Sequence, residues 1–332
     1  MDVLILNQSE VEMLLPMEEC ISVMVDALSA LARGQAYQPV RMMVSPPTAA
    51  GIMALMPSYM TQPEGHAFYG LKAICIFPGN PVMGKAAIQG AVLLYSGETG
   101  ELLSLMNASA ITTIRTAAVS GVATQLLARS DAGELAIIGS GVQARSHLQA
   151  MHCVRRIKRA RVTSRRIEHA RQFAEALAAD FPFPIEPVPT VEEAVRGADL
   201  IVTATTATEP VLNRQWIAPG AHLNIIGAYT PTSREVDTAT MAAARLFVDR
   251  REATLSEAGD FLLAMQEGAV GPAHICAEIG EVLIGSKPGR TSPEEITLFK
   301  SLGLPIEDLA AAEYVYRRAL ERRVGTVVPF SV

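Results

Sequence analysis

Three groups of residues in this chain have the types and spacing to do chemistry. The first is Glu134-Leu-Ala-Ile-Ile-Gly-Ser-Gly-Val-Gln-Ala144, an apolar run ending in Gly139-x-Gly141-x-x-Ala144 ahead of a helix-compatible segment. In that setting Gly139 permits a tight strand-to-helix turn, Gly141 lets the backbone approach a pyrophosphate, and Ala144 lets the helix pack close to the sheet. The helix N-terminus then meets the negative charge. A glycine turn with no ligand is the plainer alternative. The second group, Arg161-Val-Thr-Ser-Arg-Arg166, falls where an acidic residue would hold the ribose 2′-hydroxyl of NAD. Ser164 and Arg165 suit a 2′-phosphate instead, so NADPH is the expected cofactor, with NADH possible. Arg155, Arg156, Lys158, Arg159, Arg161, Arg165 and Arg166 together read, for the most part, as a solvated basic face.

The third group is three cations in separate motifs: Arg41 in Pro39-Val-Arg-Met-Met43, Lys72 in Tyr69-Gly-Leu-Lys72, and Arg115 in Thr112-Thr-Ile-Arg-Thr-Ala-Ala118. Lys72 stands inside an apolar strand and Arg115 on a small, apolar helix. Charges in such places are paired, exposed or functional. Arginines suit a substrate carboxylate, and a lysine suits an imine or carbonyl. A surface or salt-bridge role fits any one of them equally well.

The elements that must position these groups fall into two parts. Residues 8–34 read as helical, with Ser9-x-x-Glu12 as a capping box and Ile21, Met24, Val25, Leu28 and Leu31 at helical spacing. From 40 to 106 short strands alternate with turns. Gln89–Tyr95 and Leu102–Met106 flank Ser96-Gly-Glu-Thr-Gly100 as a hairpin. Ser109 is expected to cap a helix over 110–128. From 134 to about 250 strands (135–138, 160–163, 200–204, 222–226, 245–248) alternate with helices (143–153, 166–179, 191–196, 238–243), the rhythm of a doubly wound parallel sheet. Residues 253–300 carry helical pieces. A last helix over about 306–323 has Ile306, Leu309, Ala312 and Val315 on one face.

At 332 residues the chain exceeds one typical domain. Its 49% hydrophobic and 19% charged content reads as globular, and the net charge of −6 argues against nucleic-acid partners. Cys20, Cys75, Cys153 and Cys276 show no C-x-x-C spacing, which suits reduced thiols in a cytoplasm and offers no metal site. The first residues do not read as a signal peptide, and no apolar run reaches the length of a membrane span.

Arg41, Gly51-Ile-Met-Ala-Leu-Met-Pro57, Tyr69-Gly-Leu-Lys72, Gly97-Glu-Thr-Gly-Glu-Leu102, Ile114-Arg-Thr-Ala-Ala118, Ala136–Ala144 and Thr297-Leu-Phe-Lys-Ser-Leu-Gly303 resemble, in order, the ornithine cyclodeaminase/μ-crystallin family. The resemblance implies an α/β chain: a Rossmann doubly wound sheet over 119–304, beside an α+β substrate-binding and dimerisation domain over 1–118 completed by 305–332. It implies a homodimer. It also implies a substrate carboxylate held by Arg41 and Arg115 beside Lys72, facing the nicotinamide, with Ser301 and Leu302 nearby. Cofactor contacts are implied at Arg115, Thr116, Gly139, Ser140, Gly141, Val142, Gln143, Ala144, Ser164, Arg165 and Thr205. The loop Ile226-Gly-Ala-Tyr-Thr-Pro231 adds Ile226, Gly227 and Ala228 to the cofactor side, and Tyr229 as a proton donor or pocket wall.

The chain departs from the cyclodeaminases in this family at three places. Ala54 and Tyr229 stand where those enzymes carry carboxylates that handle amino groups, and Ser164 replaces the aspartate of NAD preference. The departures favour a reductase of cyclic ketimine carboxylates, pyrroline-2-carboxylate or piperideine-2-carboxylate giving L-proline or L-pipecolate. The alternatives are an ornithine or lysine cyclodeaminase, an alanine dehydrogenase, and an NADPH-dependent binding protein of the μ-crystallin kind.

Overall fold

The computed structural model describes residues 2–61 and 65–330. It divides into two compact units, one built from the chain up to Arg115 and again from Gly303 onward, the other from Thr116 to Leu302.

The first unit opens with β1 (Asp2–Leu6) and α1 (Gln8–Leu14). The expected capping box lies two residues earlier than Ser9 and Glu12. The Asn7 side chain accepts from the Glu10 N–H, and the Glu10 carboxylate accepts from the Asn7 N–H. Pro16, which has no N–H to continue a helix, divides the single helix expected over 8–34, and α2 begins afresh at Met17–Ala32. Then come β2 (Ala36–Tyr37), β3 (Met42–Val44), β4 (Ile52–Thr61), β5 (Ala67–Ile76), β6 (Ile88–Ser96) and β7 (Leu102–Asn107). The hairpin of β6 and β7 is antiparallel as expected, and the Ser96 hydroxyl accepts from the N–H groups of Glu98 and Thr99 to close its turn. Helix α3 (Ala108–Leu127) follows, and its cap is Asn107 rather than Ser109. Asn107 Oδ1 accepts from the Ala110 N–H, while the Ser109 hydroxyl donates to the Ile88 carbonyl.

The second unit is the alternating part of the chain. Its strands are β8 (Glu134–Ile138), β9 (Arg159–Thr163), β10 (Ile185–Pro187), β11 (Leu200–Thr203), β12 (His222–Ile225), β13 (Arg245–Val248), β14 (Ile275–Glu278) and β15 (Thr297–Lys300). Its helices are α4 (Val142–Val154), α5 (Ile167–Leu177), α6 (Val191–Val195), α7 (Thr238–Ala243), α8 (Arg251–Glu257), α9 (Gly259–Gln266) and α10 (Ile279–Leu283). The eight strands pair in the order β10-β9-β8-β11-β12-β15-β13-β14, all parallel. This is a doubly wound Rossmann sheet whose order reverses between β8 and β11, where such sheets open a ligand crevice. The central strands β11, β12 and β15 are buried along their whole length; β11 reads as an apolar run, while β12 and β15 bury His222, Asn224, Thr297 and Lys300 as well.

The chain returns to the first unit through α11 (Pro305–Arg322) and β16 (Thr326–Pro329). The sheet there runs β16-β1-β7-β6-β5-β4-β2, with β3 also on β4. Side chains alternate along β5, so Gly70, Lys72 and Ile74 point to the covered face and Tyr69, Leu71 and Ala73 to the other. Helix α11 packs on α2, β4 and β5. Pro305 sets its first turn, and every residue from Pro305 to Glu313 is buried.

Candidate functional site

In the first unit the covered face of the sheet gathers the three cations and two carboxylates. Lys72 projects from β5 with Met56 and Val92 as its cross-strand neighbours, and it is 2% exposed. Its Nζ lies 2.6 Å from Asp308 Oδ2 and donates to Thr112 Oγ1 at 3.5 Å. Arg115 follows Thr112 by one helical turn on α3. Its Nε donates to Asp308 Oδ1 at 2.9 Å, and its Nη1 donates to Glu307 Oε2 at 2.6 Å. Asp308 therefore bridges Lys72 and Arg115 with its two oxygens. Glu307 and Asp308 occupy the first turn of α11, where the helix dipole favours negative charge. Arg41 is half-buried, and its Nη2 donates to the Gly303 carbonyl at 3.4 Å. Gly303 has φ +80°, and a Cβ there would meet Arg115 Nη1 at 2.4 Å. Only glycine lets the chain pass so close to the guanidinium.

Burial sets the charge states of this cluster. Desolvation, the Arg115 guanidinium and Arg41 pull the Lys72 pKa down to about 8 against the opposing effect of Asp308. Burial opposes the charge on Arg115 as well, but Asp308 and Glu307 outweigh it and hold its pKa above the ordinary value. With Lys72 protonated, the cluster brings together three cations, Lys72, Arg115 and Arg41, and two carboxylates, Glu307 and Asp308. The position Ala54 is 2% exposed on β4, on the same covered face as Met56, and supplies no carboxylate. Glu307 and Asp308 were not among the expected site residues. The one available signal was a pair of adjacent acids just after Pro305 in an otherwise apolar segment.

The second unit carries the glycine loop where expected. β8 ends at Ile138, and Gly139 turns with φ +117°, so close to the Ala204 carbonyl that a Cβ would lie 2.4 Å from it. Gly141 is the N-cap of α4 and offers no side chain to the helix, and no protein atom lies within 4 Å of where its Cβ would stand. The first N–H groups of α4 thus have no side-chain cap, with open space before them, the arrangement that fits a pyrophosphate. Val142 is largely exposed beside it, Gln143 is half-buried, and Ala144 is fully buried against the sheet. Ser140 Oγ donates to Ser164 Oγ at 3.0 Å, joining the loop to the end of β9, and Arg165 beyond it is exposed.

Of the basic segment around Arg165, most is exposed as expected, and three arginines are tied into the fold. Arg155 donates to the carbonyls of Thr124, Gln125 and Ala128 at the end of α3. Arg159 binds Glu134 Oε2 through both Nε and Nη2, and Arg161 donates to the carbonyls of Glu193 and Arg196. These three hold secondary structure together. Arg156, Lys158, Arg165 and Arg166 form the exposed remainder.

The remaining expected residues, Thr116 apart, lie at the carboxyl ends of β11, β12 and β15. Thr205 follows β11, and both its N–H and its hydroxyl donate to Glu235 Oε1. Ile226 and Ala228 are buried in the loop after β12, while Tyr229 is 43% exposed. Ser301 and Leu302 are buried just past β15, with the Leu302 N–H on Asp249 Oδ2 at 2.6 Å. Thr116 is buried on α3 next to Arg115.

Residues 1–323 match the model of the ornithine cyclodeaminase/mu-crystallin family. The chain is 37% identical over 328 residues to a Delta(1)-pyrroline-2-carboxylate reductase of Bacillus cereus, covering 98% of this chain and 100% of that protein. Among solved structures it is similar to the Thermococcus litoralis Delta(1)-pyrroline-2-carboxylate reductase in complex with NADH and L-proline, with a TM-score of 0.94 at 38% identity over 98% of this chain and 99% of that one. It is also similar to an archaeal alanine dehydrogenase dimer with bound NAD, with a TM-score of 0.93 at 34% identity over the full length of both. The chain belongs to the ornithine cyclodeaminase/mu-crystallin family.

Proposed function

We propose that this chain is an NAD(P)H-dependent ketimine reductase, an oxidoreductase that reduces the C=N bond of Δ1-pyrroline-2-carboxylate, or its six-membered homologue, to L-proline or L-pipecolate. The observation that carries the reading is the cluster of buried Lys72, Arg115, Glu307 and Asp308 with half-buried Arg41 beside it, cations of the kind that hold a carboxylate. Relatives of the same length that act on pyrroline-2-carboxylate support it.

When bound, the reduced nicotinamide supplies the hydride that the imine carbon accepts. Arg41 and Arg115 bind and orient the substrate carboxylate, the positioning part of catalysis. Two of the Arg115 nitrogens are already committed to Glu307 and Asp308, which fixes the plane in which its remaining N–H groups meet the substrate. Lys72 holds a proton near the imine nitrogen and gives it up when the imine arrives neutral. A pKa of about 8 keeps that proton in place yet transferable at neutral pH. Asp308 keeps Lys72 charged against the cost of burial. Tyr229 is the alternative donor. Ser164 and Arg165 favour NADPH over NADH, since Arg165 is an exposed guanidinium where a 2′-phosphate would lie.

Cyclodeamination asks for a carboxylate to take protons from amino groups. Both carboxylates of this cluster are held by cations, and Ala54 offers none. Reduction of the imine of pyruvate and ammonia is a second reading, favoured by the likeness to alanine dehydrogenase. The chain acts as a homodimer, joined through the open face of the first unit's sheet. That face carries the row Pro57, Leu71, Leu93, Leu105 and Ile5 and the aromatic row Tyr59, Tyr69 and Tyr95, an apolar surface large for a monomer to leave in water. We place it in the cytoplasm, where its four free cysteines stay reduced. Among the described residues no helix is long and apolar enough to cross a membrane.

The test is NADPH oxidation with Δ1-pyrroline-2-carboxylate, Δ1-piperideine-2-carboxylate, or pyruvate plus ammonia, alongside ammonia release from L-ornithine. Oxidation with a cyclic imine and no ammonia release is expected. Preference for pyruvate plus ammonia moves the assignment to alanine dehydrogenase. Ammonia release with unconsumed cofactor overturns it.

A further inference from the structure

The second unit holds a buried polar network that the glycine loop does not account for. Glu235 is 0% exposed and lies in the segment that follows the loop Ile226–Pro231. Its Oε1 accepts from the Thr205 N–H at 2.8 Å and the Thr205 hydroxyl at 2.7 Å. Its Oε2 accepts from the Thr203 hydroxyl at 2.7 Å and the Gly227 N–H at 2.6 Å. One carboxylate therefore ties the backbone after β11 to the backbone after β12. Gly227 is packed onto it so closely that a Cβ would meet the Thr205 carbonyl at 2.1 Å and Glu235 Oε1 at 2.5 Å.

A second charged pair fixes Glu235 and the same loop from behind. Asp260, in the first turn of α9, accepts the N–H groups of Glu235 and Val236 on Oδ1 at 2.7 and 3.1 Å. Its Oδ2 lies 2.9 Å from Lys300 Nζ. Lys300, 0% exposed at the end of β15, donates to the Ala228 carbonyl at 2.5 Å and the Ile225 carbonyl at 3.4 Å. Both loops stand at the carboxyl ends of parallel strands beside the switch point, where a doubly wound sheet holds its ligand. Buried charges this fully bonded are costly to assemble and hold one geometry once made.

We propose that Glu235, backed by the Asp260–Lys300 pair, is the positioning residue that sets the spacing of the loops at Thr205 and at Ile226–Ala228, and through it the dinucleotide cleft. The proposal rests on the reading of those loops as cofactor-binding. The glutamine isostere isolates the effect. Whichever way its amide turns, its NH₂ faces either the Thr205 N–H or the Gly227 N–H. A hydroxyl can rotate to accept from it, but a backbone N–H cannot. One loop is thus released while volume is unchanged.

The experiment measures NADPH affinity of the full-length protein by nicotinamide fluorescence, with turnover of Δ1-pyrroline-2-carboxylate in parallel. E235Q is expected to raise the Kd for NADPH by at least about tenfold, as loss of a bond to a charged acceptor implies. The KM for the imino acid at saturating NADPH should move less than about twofold, because the carboxylate-binding cations are untouched. T205V, which removes one hydroxyl and no charge, should shift the Kd the same way by a smaller factor, and serves if E235Q fails to fold. Wild-type NADPH affinity in E235Q, or in T205V should E235Q not fold, refutes the proposal. So does a lowered Tm of the cofactor-free protein with unchanged Kd. A wild-type chain that binds no dinucleotide defeats instead the reading on which the proposal rests.

Discussion

Replacing Asp308 by asparagine removes one charge and almost no volume, and its consequences can be worked out from the cluster. Asp308 touches Lys72 at 2.6 Å and Arg115 at 2.9 Å, with all three side chains buried. Lys72 already sits near pKa 8 with Asp308 holding it up. Two unit charges about 4 Å apart at an effective dielectric of about 20 interact by about 4 kcal/mol, close to three pKa units. Competing relaxation reduces this, so a fall of about 1–2 units is the reasonable expectation. At pH 7 Lys72 would then be protonated in roughly a tenth of unliganded molecules at the larger shift and about half at the smaller. D308N should lose roughly 2- to 10-fold in kcat/KM for Δ1-pyrroline-2-carboxylate at pH 7 and regain much of it on acidification. The assay is the pH profile of kcat/KM from about pH 5 to 9.5, with Tm measured on the same samples. Wild-type activity should fall as pH rises through about 8, and the D308N limb should lie to the acid side of that. A D308N profile lower than wild type at every pH by the same factor, with its limb unmoved, refutes the argument and leaves Asp308 a packing residue.

Other expectations follow from the same geometry. R165A should raise the KM for NADPH and leave NADH nearly unchanged if the exposed guanidinium binds the 2′-phosphate as proposed; equal loss with both cofactors removes the assignment. R41A should lower kcat/KM for the imino acid by about 2–4 kcal/mol in transition-state terms with little change in NADPH affinity, and wild-type turnover in that variant would make Arg41 structural. G303A should cost activity and lower Tm, because its φ of +80° and its 2.4 Å approach to Arg115 Nη1 both oppose a side chain; an unchanged Tm and kcat would contradict the packing. The folded-state pKa of Lys72, about 8, lies below its ordinary value of 10.5. Between those values the unfolded chain binds more protons, so Lys72 adds stability as pH rises across that window, up to about 3 kcal/mol in all. Denaturant unfolding of wild type and K72M across the window checks this, since only the wild type should show that slope.

What could be read from the residues alone depended on whether burial was written in the local pattern. The glycine loop was legible because its chemistry is confined to neighbours in sequence: an apolar run, Gly139, Gly141 and Ala144. The alternating strands up to β13 were legible for the same reason. β10, β14 and β15 were not, since Ile185-Glu-Pro187, Ile275-Cys-Ala-Glu278 and Thr297-Leu-Phe-Lys300 each mix polar or proline residues into the run and are made strands by pairing with a distant neighbour. Lys72 and Arg115 stood out as charges in apolar segments, yet their partners did not. Ile306, Leu309, Ala312 and Val315 describe an amphipathic helix, and on that pattern Glu307 and Asp308 belong to its wet face. The first half of α11 is instead covered on all sides, which turns the same two residues into the counter-ions of a buried site. Glu235 gave less signal still, because Arg234-Glu235-Val236-Asp237 reads as an ordinary polar surface segment. Its role comes from the convergence of Thr203, Thr205 and Gly227 upon it, a meeting of two loops that no spacing along the chain records. Charge type was therefore visible residue by residue, while the pairing that gives each charge its pKa and its purpose exists only in the folded chain.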